Sequence, residues 1–166
     1  LILGSAGESQ YFDGQIDEVR IWNDVRSETE IRQNMYRELP NPAGETNLVA
    51  YYKMNETSGT TATDSKGSNN GTLTNMTGNE WQTSPAMFGP KNALDFDGSN
   101  DYVTLPNSLY STHFNSGTAI TIEYWFKGSD IQSAVRFQNE GYIVAGYSDP
   151  PQFIISSDGG TSGLTI

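Results

Sequence analysis

Between Tyr11 and Ile31, YFDGQIDEVRIWNDVRSETEI, a turn, an alternating strand and a helix start follow one another. Phe12-Asp13-Gly14 has turn chemistry, since Gly takes positive φ without a Cβ penalty and Asp bonds the backbone just ahead of it. From Ile16 the pattern alternates, which puts Asp17, Val19 and Ile21 on one face and Ile16, Glu18, Arg20 and Trp22 on the other. Asn23-Asp24 breaks the strand. Ser27-Glu28-Thr29-Glu30 then fits a capping box, in which Ser27 accepts from the third helical amide and Glu30 reaches back to the Ser27 amide. A short helix near 27–38 follows, with Ile31 and Met35 one turn apart on its apolar face and Pro40 and Pro42 ending it.

The rest of the chain reads as strands between turns. Leu1-Ile2-Leu3 is a short strand, and 39–47 (LPNPAGETN) is the best linker candidate. Leu48 to Met54 is a strand, Asn55 to Gly71 a long polar run, and a small strand lies around Leu73; Trp81 and Met87-Phe88 are apolar anchors. Ala93 to Val103 reads strand-turn-strand, with Leu94 and Phe96 inward and Asp97-Gly98 as a hairpin-type signal. Ile120 to Phe126 alternates, with Ile120, Ile122, Tyr124 and Phe126 on one side. Tyr142 to Tyr147 and Gln152 to Ser156 are further strands, and Gly163 to Ile166 opens another.

At these residues the chain resembles a known family. FDGQIDEVRIWNDVRSETEI looks like the closing signature of laminin-G-like, concanavalin A-type domains, in which a last core strand is followed by a short helix. LVAYYKMNETSGTTATDSKGSNNGTLTN looks like the opening signature of the same family, ALDFDGSNDYV like its strand-turn-strand, and ITIEYWF like its central strand. The resemblance implies an all-β, antiparallel β-sandwich jelly roll with one short helix near 27–38. The signatures stand in the order closing, then opening. The expectation is a window across a tandem array: 1–38 as the C-terminal strands and helix of one jelly roll, 39–47 as linker, and 48–166 as the first two thirds of the next, with further strands expected after Ile166. A rearranged single domain, in which 1–38 folds back onto 48–166, is the alternative.

Composition narrows the partners. Nine basic and twenty acidic residues give a net charge of -11, against phosphate backbones and anionic membranes, both of which need clustered Lys and Arg. Zero cysteines exclude disulfides and thiolate sites, and the single His113 excludes a site needing two imidazoles from one chain. No apolar run approaches the ~20 residues of a membrane span. The 3 Trp, 9 Tyr and 7 Phe argue against disorder.

Candidate chemistry is sparse. Gln15-Ile16-Asp17-Glu18 lacks the E-x-D-x-E of jelly-roll glycosidases, Glu123 stands alone between Ile122 and Tyr124, and His113 has no evident partner set, so no active site is read. The resemblance implies a structural calcium site where the DSxG region meets the IDEV segment: Asp64 and Asn70 with Asp17 or Glu18, and the Gly67 carbonyl. For Asp64, Asn69 and Asn70 the alternative is Asx turns that bond their own backbone. Asp95, Asp97 and Asp101 lack the EF-hand loop; they read as turn residues, with a calcium contribution from Asp97 as the alternative. Tyr51, Tyr52, Trp81, Tyr102, Trp125, Tyr142 and Tyr147 could be core or sugar-stacking platforms.

What the resemblance implies for function is a non-enzymatic, calcium-stabilised adhesion module of a repetitive, exported bacterial cell-surface protein, of the kind found in large adhesins including those of gliding motility. Its partners would be neighbouring repeats and a glycan or protein ligand on a cell or matrix surface, with no nucleic acid and no membrane insertion. The alternatives are an accessory carbohydrate-binding domain of a polysaccharide-degrading enzyme and a ligand-free spacer.

Overall fold

The computed structural model describes residues 1–7, 10–84, 91–113, 119–128, 135–137, 141–143, 152–156 and 163–165. In chain order the strands are β1 (Ile2–Leu3), β2 (Ser5–Gly7), β3 (Gln10–Tyr11) and β4 (Asp13–Trp22). After helix α1 (Glu28–Asn34) and a 3-10 turn at Pro42–Gly44 come β5 (Leu48–Tyr52), β6 (Thr61–Ala62), β7 (Gly71–Thr74), β8 (Trp81–Ser84), β9 (Lys91–Asp97) and β10 (Tyr102–Thr104). Helix α2 (Asn107–His113) precedes β11 (Thr121–Gly128), β12 (Val135–Phe137), β13 (Gly141–Ile143), β14 (Gln152–Ser156) and β15 (Gly163–Thr165). The expected strand at 142–147 is described only as far as Ile143, and Met87, Phe88, Tyr147 and Ile166 lie outside the described residues.

The fold is all-β with two short helices, and its strands pair antiparallel. One large sheet runs β13-β12-β1-β10-β7-β6; the other runs β15-β14-β11-β4-β9-β8, with β5 also on β4, and β2 and β3 pair as a separate two-stranded sheet. A single apolar cluster draws Leu3, Leu73, Val103 and Val135 from the first sheet and Ile16, Leu94, Phe96, Ile122 and Phe126 from the second. As expected from the alternation, Leu94, Phe96, Ile122, Tyr124 and Phe126 face it, with Ile120 packed against it.

Strand β4 is the axis of the second sheet. β11 pairs along one side; on the other, β9 takes Asp13 to Ile16 and β5 takes Val19 to Trp22. Sequence reasoning divides the chain at 39–47, yet β4 from before that segment is hydrogen-bonded to β5, β9 and β11 from after it. β1 likewise pairs β10 and β12. Segments 1–38 and 48–128 thus contribute to one core in this structure.

The faces of β4 differ from strict alternation. Three steps on β4, Asp17 to Arg20, oppose two on β11, Trp125 to Glu123, so β4 carries one extra residue. Glu18 takes φ +55 there, which a non-glycine rarely adopts. The bulge resets the parity: Ile16, Val19 and Ile21 all enter the main core, whereas Trp22 joins Leu39, Leu48 and Tyr51 in a second cluster. The expected sets Asp17/Val19/Ile21 and Ile16/Glu18/Arg20/Trp22 are corrected accordingly, because one inserted residue flips everything beyond it.

Helix α1 forms where its cap predicts. The Ser27 side chain accepts from the Glu30 amide, and Glu30 accepts from the Ser27 amide at 2.8 Å. Ile31 and Met35 pack on Trp125 of β11. The helix ends at Asn34, ahead of Pro40, and buried side chains take up carbonyls from its last turn onward: Arg20 donates to those of Asn34 (2.9 Å) and Arg37, and Trp125 Nε1 to that of Met35 (2.7 Å). The Asp97-Gly98 turn is present, with Gly98 at φ +75 and Ser99 donating to Asp97, but it makes no hairpin. It joins β9 of one sheet to β10 of the other.

Candidate functional site

A dense ionisable group lies where β4, β5 and β11 meet the end of α1. Arg20, almost wholly buried, donates to Glu18 at 2.8 Å and lies 3.6 Å from Glu123. The Tyr51 hydroxyl donates to the same Glu18 oxygen, and the guanidinium sits 5.3 Å from the Tyr51 ring centroid. Burial raises Glu18 despite the opposing Arg20 charge, and pushes Glu123 up to about 7 against Arg20 and Arg26. Burial alone would lower Arg20, but Glu18, Tyr51 and Glu123 raise it. This is a charge network that ties strand to strand and sheet to helix.

Next to it, at the fork where β5 leaves β4 and β9 joins, lies Asp17. It is buried, and its Oδ1 has no partner among the described residues. Desolvation first, then the Glu18 charge, push it up to about 8. Glu38, beyond α1, accepts from Lys53 (2.9 Å), Asn55 (3.0 Å) and Lys91. Desolvation raises Glu38, but the hydrogen bonds and charges of Lys91 and Lys53 outweigh it and hold the carboxyl at about 2.

The residues of the expected calcium site fall in three places. Asp64 sits in the loop after β6, where its Oδ1 accepts from the Tyr51 (3.0 Å) and Lys66 (2.9 Å) amides and its Oδ2 from the Asn69 amide (3.0 Å). Asn70 Oδ1 accepts from the Asp64 amide, and Gly67 lies against the Asp64 carboxylate. This is the backbone-bonding arrangement weighed above, with one addition: Asp64 and Ser65 cover the outer edge of β5, Ser65 N donating to Tyr51 O. Asp17 and Glu18 lie on β4 as described, and Asp97 at the far end of β9 accepts from Ser99. Among the described residues, no group of three or more His, Cys, Asp or Glu side chains is arranged to hold a metal ion.

Of the candidate aromatic platforms, Tyr51, Tyr52, Trp81 and Trp125 are buried and Tyr102 is half-buried; Tyr142 and Tyr147 have no described side chains. Tyr36, absent from the sequence candidates, is 54% exposed and lies over Trp125, ring centroids 5.7 Å apart. His113 is half-buried at the end of α2. Sequence reasoning also missed Arg20, Glu38, Lys53 and Lys91. The one available signal was a charged Arg20 amid the apolar residues of β4. Glu123 does not stand alone: it faces Arg20. No protein-family model, no curated protein and no solved structure matches the chain.

Proposed function

We propose that the protein is a non-enzymatic binding module with a concanavalin A-like jelly-roll fold, exported to a bacterial cell surface as part of a repetitive adhesin and presenting its loops to a glycan or protein ligand. The observation that carries this reading is the engagement of the central carboxylates. Glu18 and Glu123 face Arg20 beneath α1, and Asp64 is saturated by backbone amides, so these carboxylates serve the framework. The apolar cluster common to both sheets and the crossing from β9 to β10 support a sandwich. Fold alone does not decide function.

The test is a binding screen of the full chain against immobilised polysaccharides and extracellular matrix proteins, run alongside an assay for released reducing sugar. Saturable binding without turnover is expected. Hydrolysis that is abolished by Glu123→Gln overturns the proposal, and an absence of binding to every surface favours a spacer.

A further inference from the structure

We propose that Lys91 and Asn55 join in a self-formed amide bond between their side chains, with Glu38 carrying the protons between them. Glu38 Oε1 accepts from both the Lys91 ammonium and Asn55 Nδ2, the latter at 3.0 Å, while Oε2 takes Lys53 at 2.9 Å. A nucleophile and an electrophile are thereby held on one carboxylate oxygen, the arrangement that turns an encounter into an intramolecular step. The three residues come from separate parts of the fold: Glu38 after α1, Asn55 after β5, Lys91 at the start of β9. They are half-buried, with Glu38 25% and Lys91 32% exposed. Asn55 Oδ1 is buried and without a partner among the described residues.

The chemistry balances without a co-reactant. Glu38, within hydrogen-bond reach of both groups, takes a proton from the Lys91 ammonium, and the freed amine attacks Asn55 Cγ. The Nζ–Cγ bond forms and negative charge gathers on Oδ1, from which the carbonyl re-forms as the leaving nitrogen departs. The Cγ–Nδ2 bond then breaks. A second proton from the lysine nitrogen and the one held by Glu38 both end on Nδ2, which leaves as ammonium and returns Glu38 to its carboxylate. The product links the exit of β5 to the entry of β9 across the fork beside Asp17. It stands independently of any adhesive role.

Intact-mass spectrometry of the folded full chain, incubated at about pH 8 to favour the free amine, is the test. A mass about 17 Da below that of the sequence, the loss of one ammonia, is expected, with the Asn55 and Lys91 tryptic peptides recovered as one branched species. Asn55→Ala and Lys91→Arg should restore the full mass, whereas Lys53→Arg should keep the loss. The full sequence mass after incubation overturns the proposal. So does a loss mapped to Asn70-Gly71, where a succinimide gives the same change. Peptide mapping of the unmutated chain decides even where a variant fails to fold.

Discussion

Arg20 on β4 and Glu123 on β11 stand directly opposite each other in the sheet, 3.6 Å apart, with 1% and 2% of their side chains exposed. Arg20 also holds Glu18 and two carbonyls from the end of α1. Removing it leaves two carboxylates without their cation in a low-dielectric site, which costs about 3–5 kcal/mol. Arg20→Met should therefore lower the urea midpoint far more than Glu123→Gln, after which Arg20 still has Glu18 and the cost is about 1–2 kcal/mol. Equal effects of the two substitutions would show that Arg20 is not the hub.

Gly14 tests the junction of β4 and β11. Its φ is +145, and a Cβ built there would lie 2.2 Å from the Lys127 carbonyl oxygen. Backbone cannot yield as a flexible side chain does, so Gly14→Ala should cost more than about 2 kcal/mol in chemical denaturation. A variant as stable as the parent would mean that β4 and β11 are not in this register.

Features encoded within a few residues were legible in the sequence, and those that depend on distant partners were not. The Ser27–Glu30 box is local, and α1 starts there. The bulge at Glu18 has no local mark, because a glutamate in the left-handed region is held there by the strands on either side. The turn at Asp97-Gly98 was legible, but turn chemistry does not say which sheet the next strand joins. Glu38, Lys53, Asn55 and Lys91 meet only once β5 and β9 have both been laid beside β4.

Asp64 anchors its own loop and the edge of β5 through accepted amide bonds, and it is 4% exposed. Asp64→Ala strands those amides, and the loss should be about 3 kcal/mol or more. If backbone bonding alone accounts for Asp64, the fall in Tm will be the same in excess calcium and in EDTA. A parent chain that melts higher in calcium, with the difference abolished in Asp64→Ala, would restore the calcium site.

Stability should peak in mildly acid solution and decline towards pH 8. Asp17 is raised from 3.8 to about 8 and Glu123 from 4.5 to about 7, each chiefly by burial. A raised carboxyl keeps its proton in the folded chain while the unfolded chain releases it, so the contribution is complete below the unfolded value and is lost as pH rises through the folded one. The decline therefore runs from about pH 4 to 8 for Asp17 and from about 4.5 to 7 for Glu123. Glu38 acts in the opposite sense. Depressed from 4.5 to about 2 by its lysines, it contributes above its unfolded value and loses that contribution as pH falls towards 2. The two slopes place the maximum urea midpoint at about pH 4. Asp17→Asn removes the larger of the two high-pH terms, so its midpoint should change less between pH 5 and 8 than that of the parent. A parent midpoint that rises over that interval would mean that Asp17 is ionised in the folded chain, with a cation beside its free oxygen.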